Sequence, residues 1–318
     1  MNNKESKRHR YIYGPVPSRR LGLSLGIDIV PMKICTLDCI FCQLGRTTEK
    51  STVRRDFVDI DAVIAEVKSR LAEGVRTDYI TIGGSGEPTL NSRLGDLIGG
   101  LHKVTDTPVA VLTNGTLFDR EDVRAECAKA DVVIPSLDAG DEAAFEAVTR
   151  PACDISIEKL VSGLSTFRDE FSGQIWLEVF IVPGVNTSPE QIAEMKGLVE
   201  RIRPNKVQLN TAVRPPTEKS VEPASYETLT AIAREMGGDC EVIADVPAGS
   251  CDRQAAQVTA DVLSMLKRRP CSVQDLCTGL GITPDEATRQ LTDLRRQGLI
   301  VAEPRGDTVY FRGHSKPS

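Results

Sequence analysis

Three cysteines, Cys35, Cys39 and Cys42, fall within eight positions in the stretch KICTLDCIFCQLG, residues 33–45. A structural zinc site closes with four ligands, and no second CxxC or HxxxH pair follows here at zinc-finger spacing. Two of the thiols could be small buried hydrophobes, and the Cys39–Cys42 half alone could be a redox pair. Three soft thiolates on one short loop also suit an iron-sulfur cluster, where three ligands leave one iron open to another group. The remaining cysteines, Cys127, Cys153, Cys240, Cys251, Cys271 and Cys277, include no second tight triplet. Cys127 and Cys277 lie in helix patterns and are expected to be buried. Cys240 and Cys251 flank a linker-like stretch, where a second cluster or a redox role stays open.

The elements that would position such a loop alternate in a regular way. Apolar β-branched runs, expected as strands at 26–30, 78–82, 108–112, 131–135, 174–182 and 206–209, are separated by amphipathic segments. In DIDAVIAEVKSRLAEG, Val63, Ile64, Val67 and Leu71 share one face, Asp59 or Asp61 suits the N-cap, and Gly74 ends the helix. EDVRAECAKA, SIEKLVSGLSTF and SPEQIAEMKGLVERI repeat the theme. Six such βα units predict a partial (β/α)6 TIM-type barrel over residues 1–245, with its site at the C-terminal ends of the strands.

A stretch of small and polar residues at 246–257 reads as a linker. Residues 258–318 then give three helix patterns and two short strands about an Arg-Gly-Asp turn, the pattern of a small winged helix-turn-helix domain. Gly281 falls in its turn, and Thr283 suits the N-cap of its third helix. Nine Lys and Arg face seven Asp and Glu from Val258 onward, so nucleic-acid contact and protein docking remain equal readings of this domain. The net charge of −6 argues against a generally basic nucleic-acid binder. The 318 residues, 40% of them hydrophobic, suffice for one barrel-sized domain and a small second one. No apolar run of membrane-spanning length or signal-peptide core is present, and nine cysteines, an odd number, argue against a disulfide framework. A cytoplasmic protein with no membrane contact is expected.

C-x3-C-x2-C with Phe41 just before the last cysteine resembles the signature of the radical S-adenosylmethionine (radical SAM) superfamily. The wider stretch YGPVPSRRLGLSLGIDIVPMKICTLDCIFCQLGRTT resembles its branch of wyosine-base synthases acting on transfer RNA. The resemblance implies a [4Fe-4S] cluster on Cys35, Cys39 and Cys42 whose free iron is chelated by SAM. One electron, from a donor such as flavodoxin or ferredoxin, then cleaves SAM, and the 5′-deoxyadenosyl radical abstracts hydrogen from a substrate that the sequence leaves unidentified. Archaeal and eukaryotic wyosine-type synthases carry a second cluster built from further cysteines. Cys35 is the first cysteine of this sequence, which counts against a transfer RNA substrate. An iron-sulfur redox-sensing winged-helix regulator is the other alternative, although a pure sensor has no need of a SAM loop.

The resemblance extends to further cofactor residues. In GGSGEPTL, Gly83, Gly84, Ser85 and Gly86 match the loop whose backbone meets the amino group of SAM; Pro88 fixes the turn, and Glu87 is expected to hold the loop. Asn114, in TNG, falls where the family lines its pocket. Ser136 and Asp138, two apart in SLDAG, share a face if the strand continues, and would meet the ribose and carboxylate of SAM. Ile181, Pro183 and Gly184 match the segment packed on adenine. For the substrate, the candidates are Arg19 and Arg20 before the cluster loop, whose alternative partner is the carboxylate of SAM, Glu178 in an apolar strand, Gln208 and Asn210 on one face of the sixth strand, and Arg214 beyond its end. Each of these motifs has a plain structural reading beside it: β-turn, core strand or solvated surface.

Overall fold

The computed structural model describes residues 10–243, 255–280, 282–306 and 308–314. In chain order its elements begin with β1 (Ile12–Ser18), β2 (Gly22–Ile27), β3 (Ile34–Cys35), β4 (Glu49–Lys50), α1 (Ile60–Ala72) and β5 (Tyr79–Ile82). Next come α2 (Leu94–Leu101), β6 (Val109–Leu112), α3 (Glu121–Cys127), β7 (Val132–Ile134), α4 (Glu142–Thr149), α5 (Ile157–Glu170) and β8 (Gln174–Ile181). The barrel ends with α6 (Pro189–Ile202), β9 (Lys206–Thr211), α7 (Tyr226–Met236) and β10 (Cys240–Val242). After it follow α8 (Ala255–Arg268), α9 (Val273–Leu280), α10 (Pro284–Arg296), β11 (Ile300–Arg305) and β12 (Thr308–Gly313).

Eight strands form one sheet in the order β1-β2-β5-β6-β7-β8-β9-β10. All neighbouring pairs are parallel except β1 with β2, an antiparallel hairpin at one edge. The sheet is an incomplete barrel whose edges are β1 and β10, so the expected partial barrel gains a strand at each end. The first expected strand is shifted: the paired residues are 22–27, not 26–30. Asp28, just past the strand, still donates its N–H to the Tyr11 carbonyl, and its carboxylate accepts from the Ser85 backbone and hydroxyl. Three helices without sequence forecast, α2, α4 and α7, complete the outer layer.

Side-chain alternation divides the barrel wall into two faces. Leu25, Ile27, Ile80, Ile82, Val109, Val111, Val133, Ile175 and Leu177 point outward into the main core under the helices, all essentially inaccessible. Inward, Leu21, Ala110, Val132, Ile134 and Trp176 fill the lower barrel. Ser24, Thr81, Glu178, Phe180 and Asn210 stand above that plug and line the cavity at the C-terminal ends. The helices start where capping chemistry allows: Asp59, Asp141, Ser156, Ser188 and Ser225 each accept a hydrogen bond from the first turn of α1, α4, α5, α6 and α7. Gly74 takes a left-handed φ of 77° just after α1.

The C-terminal helices and hairpin have their own core, formed by Val262, Met265, Leu266, Leu276, Leu280, Leu291, Leu294 and Ile300 among others. Thr283 caps α10 through the Glu286 backbone. Residues 255–257, expected in the linker, belong to α8; residues 244–254 with Cys251, and also Gly281 and Asp307, lie outside the described residues. This unit packs directly on the barrel. Val16 of β1, 7% exposed, is part of its core, with Tyr13 packed against it. Tyr310 donates its hydroxyl to the Val213 carbonyl at 2.6 Å, and the Arg305 guanidinium donates to the carbonyls of Arg214 and Val221. Arg214 and Asp275 form an ion pair between the two parts at 3.2 Å.

Placing a charge in this seam would force either its burial or separation of the two parts. Val16→Asp is expected to lower stability by at least about 2 kcal/mol in urea unfolding and to speed proteolysis between the barrel and α8.

Candidate functional site

The cysteine loop runs from the tip of β2 to β4 and is pinned from three sides. Lys33 donates its backbone N–H to the Ser85 carbonyl at 2.7 Å, and Glu87 donates to the Ile34 carbonyl at 3.1 Å, so the glycine loop is laced to the start of the cysteine loop. A Cβ on Gly86 would overlap the Ile34 carbonyl oxygen, so only glycine permits this approach. On the second side, Asp38 and Ile40 donate to carbonyls at the end of α4. On the third, Glu218 donates to the Ile40 carbonyl, and the Thr217 hydroxyl to the Cys42 carbonyl at 2.7 Å.

Glu87 ties this arrangement to the next strand. Its carboxylate, 2% exposed, accepts from the Thr89 backbone and hydroxyl, the Thr113 hydroxyl at 2.6 Å and the Asn114 backbone at 2.8 Å. Burial raises its pKa while these four donors oppose the rise. The amide of Asn114 in turn donates to Thr36 Oγ1 at 2.8 Å and approaches Cys35 Sγ at 3.5 Å. Glu87 and Asn114 are therefore joints between loops, as the sequence suggests for Glu87.

Cys35, Cys39 and Cys42 are half-buried free thiols facing a single cavity of about 430 Å³. Burial pushes the Cys35 thiol up to about 12, with Glu87 adding to the rise, and pushes Cys39 well above its ordinary value, with Cys35 and Cys42 adding to it. Lys33 Nζ donates to Cys42 Sγ at 3.1 Å. Among the described residues no three His, Cys, Asp or Glu side chains are placed to hold a single metal ion. Three thiols sharing a cavity, costly to ionise alone, without a fourth ligand and with little competing donor chemistry, fit a cluster that brings its own positive charge.

The same cavity receives most of the other sequence candidates: Arg19 and Arg20, Phe41, Gly84 to Glu87, Asn114, Ser136 and Asp138, and Glu178, Asn210 and Arg214. Asp138 is buried and accepts from the Phe180 backbone; burial, with Glu178 adding, pushes its carboxyl up to about 8. Arg20 pairs with Glu178. The arginine pair stands in the tight turn between β1 and β2, before β2 and so at the opposite end of that strand from the cysteine loop; the Arg20 side chain reaches the cavity from there.

Six candidates lie elsewhere. Ile181 packs with Val179, Ile192 and Met195 under the helices, because odd-numbered residues of β8 face outward, so it does not reach the cavity, which Phe180 lines in its place. Phe180 stacks on Phe41 with ring centroids 4.0 Å apart, and parity with Glu178 would have found it. Pro183 and Gly184 follow the strand in a turn outside the cavity lining, and Gln208, though inward, lies below it and donates to Glu241 of β10. Gly83 and Pro88 flank the glycine loop without lining the cavity: Gly83 donates to the Ile27 carbonyl, and Pro88 opens a 3-10 turn.

Some contributors carry no sequence signal. Ser24 and Thr81 pair across β2 and β5 on the cavity floor. Met265, Arg268 and Arg269 reach it from α8 and its end, more than 200 residues from the cysteines. Arg268 stands 4.4 Å over the Tyr13 ring and 3.8 Å from Asp28, the residue that holds Ser85. The two parts of the chain thus share one cavity.

The family model described as the radical SAM superfamily matches residues 29–195, and that of the MarR family matches residues 256–308, in keeping with the winged-helix arrangement. A UPF0026 protein of Methanocaldococcus jannaschii is 37% identical over 222 residues, 69% of this chain and 69% of that protein. A protein named GTPase Obg from Brachyspira hyodysenteriae is 35% identical over 306 residues, 95% of this chain; the chain spans only 45% of that protein's length and contains no GxxxxGK[ST] phosphate loop. The crystal structure of a radical SAM methyltransferase from Sphaerobacter thermophilus superposes with a TM-score of 0.51 at 18% identity, over 69% of this chain and 65% of that one, a likeness of fold. The family model covers more than half of the chain and the archaeal relative more than two thirds of it, and the chain belongs to the radical SAM superfamily.

Proposed function

We propose that this protein is a radical SAM enzyme in which Cys35, Cys39 and Cys42 hold a [4Fe-4S] cluster and the glycine loop seats SAM beside it. The observation that carries the reading is the lacing of Ser85 and Glu87 to Lys33 and Ile34, which holds a glycine-rich turn against a three-thiol loop inside one cavity. When bound, cluster and SAM would supply one-electron cleavage of a sulfur–carbon bond and, through it, hydrogen abstraction from substrate.

The chain's own residues then have distinct tasks. The backbone of Gly84 to Gly86, free of side chains, can approach an ammonium group closely. Phe41 and Phe180, already stacked, present an apolar wall that excludes water from a reactive centre. Asp138 keeps one carboxyl oxygen for the Phe180 backbone and has the other for a ribose hydroxyl. Ser136, bridged to Glu178 across β7 and β8, adds a hydroxyl on the same side. Arg20 and Glu178, paired in the cavity, and Asn210 are placed for substrate. The electron would come from a reduced flavodoxin or ferredoxin meeting the exposed Gln43 beside Cys42.

A transfer RNA substrate of the wyosine type and a redox-sensing regulator are weaker readings. The matches reach the superfamily and not a branch within it, and the glycine loop is built against the cysteine loop in a way that sensing alone does not require.

After anaerobic reconstitution, the protein is expected to carry about four irons and, with dithionite and SAM, to form 5′-deoxyadenosine. Cys35→Ala, Cys39→Ala and Cys42→Ala should each lose both. Iron loading without SAM binding or cleavage in the unaltered protein would overturn the proposal. Gly86→Ala is expected to weaken SAM binding at least about tenfold in equilibrium titration, because the two loops must part by the depth of a methyl group. Glu87→Gln keeps the shape but replaces an acceptor with a donor facing N–H and O–H groups. It should cost about 1–3 kcal/mol in urea unfolding, and an unchanged midpoint would refute the anchoring role.

A further inference from the structure

More basic than acidic residues line the cavity at the thiols, and one of them, Arg269, the cofactor reading does not use. Six basic residues line it, Arg19, Arg20, Lys33, Arg214, Arg268 and Arg269, against three acidic ones, Glu87, Asp138 and Glu178. Glu87 is consumed by its four donors and Glu178 by Arg20, while Lys33 donates to Cys42, Arg214 pairs with Asp275 and Arg268 lies 3.8 Å from Asp28. Next to this cavity lies a second one of about 740 Å³, between the cysteine loop, the 215–222 segment and the C-terminal unit. The two share Gln43, Leu44, Arg268 and Arg269.

Arg269 therefore stands where the cavities meet. Half-buried, its guanidinium has no hydrogen bond or ion pair among the described residues, while that of Arg214 is held nearby by Asp275. The Nε–H groups of Arg214 and Arg268 are both buried without an acceptor. Burial lowers the pKa of Arg214 and the neighbouring Arg269 adds to the fall, while Asp275 opposes it. A guanidinium without partners beside one whose Nε–H lacks an acceptor is the chemistry of an oxyanion site, and a dianion balances two guanidinium groups better than a carboxylate does.

The geometry points to a phosphate subsite formed by Arg214 of the barrel and Arg269 of the winged-helix unit, so that the substrate is a small phosphorylated molecule entering through the larger cavity with its reacting carbon toward the thiols. This assignment rests on the radical SAM reading for where the reaction occurs, but the binding it requires does not depend on a cluster. It also gives the winged-helix unit a task within the active site. A polymer is less suited to this position, because the hairpin of the unit is engaged with the barrel through Tyr310 and Arg305.

The test is calorimetric titration of the full chain, without cluster, with pyrophosphate as probe. Arg269→Gln is expected to weaken binding about tenfold or more and Arg269→Glu to abolish it, with unchanged unfolding midpoints, and added NaCl should weaken the unaltered protein's binding. Iron content and SAM affinity of the reconstituted Arg269→Gln protein should match those of the unaltered chain, and these readouts report failure of the cofactor reading separately. Absence of pyrophosphate binding, equal binding by the variants, or loss of SAM affinity in place of pyrophosphate affinity would each overturn the subsite. So would a single-stranded RNA oligonucleotide that depends on Arg269 when pyrophosphate does not, which would assign the arginine to a polymer.

Discussion

The buried carboxylate of Glu87 governs the geometry of the site. An ionisable group 2% exposed is tolerated only where donors surround it, and the four it receives come from its own turn and from the loop after β6. Because its backbone N–H also reaches the Ile34 carbonyl, one residue links the glycine loop, the TNG loop and the cysteine loop. The strands deliver these loops to one end of the barrel, and Glu87 sets their mutual distance.

Around that joint the barrel divides its work by face. The lower interior is closed by Trp176 and small or branched side chains, while the upper interior carries Ser24, Thr81, Glu178, Phe180 and Asn210. The plug makes the site a cavity with a floor and not a channel, so a ligand enters from the C-terminal rim. That rim is partly made by residues from the far end of the chain: the edge strand β1 is buried against the winged-helix core through Val16, which brings α8 over the mouth. A helix-turn-helix pattern read alone suggests a separate binding module; its docking on β1 makes it a wall of the same cavity.

Much of this was legible in the primary structure. The spacing of Cys35, Cys39 and Cys42 and the glycine run at 83–86 are local features, and local backbone chemistry is what sequence patterns encode directly. Alternating apolar runs likewise identified six of the parallel strands, and capping residues identified the starts of several helices. Parity within β8 was equally available: Glu178 facing inward requires Phe180 to face inward and Ile181 to face the helices, yet a motif carried across whole assigned the wall to Ile181.

Other features depend on distances along the chain that no local pattern records. The pairing of β1 with β2, which moved the first strand and placed Arg19 and Arg20 in a turn, follows from a hairpin whose edge must be covered, here by α8 and α9. Arg268 and Arg269 carry no motif, and their meeting with Arg214, which its place beyond the sixth strand marks, is set by packing of the C-terminal unit on the barrel. What the sequence by itself determined was the chemistry of the thiol and glycine loops, because it resides in consecutive residues. Only the tertiary structure decided which side chains face the cavity and which charges remain unbalanced there, because both are properties of segments brought together across some two hundred residues by burial of apolar surface.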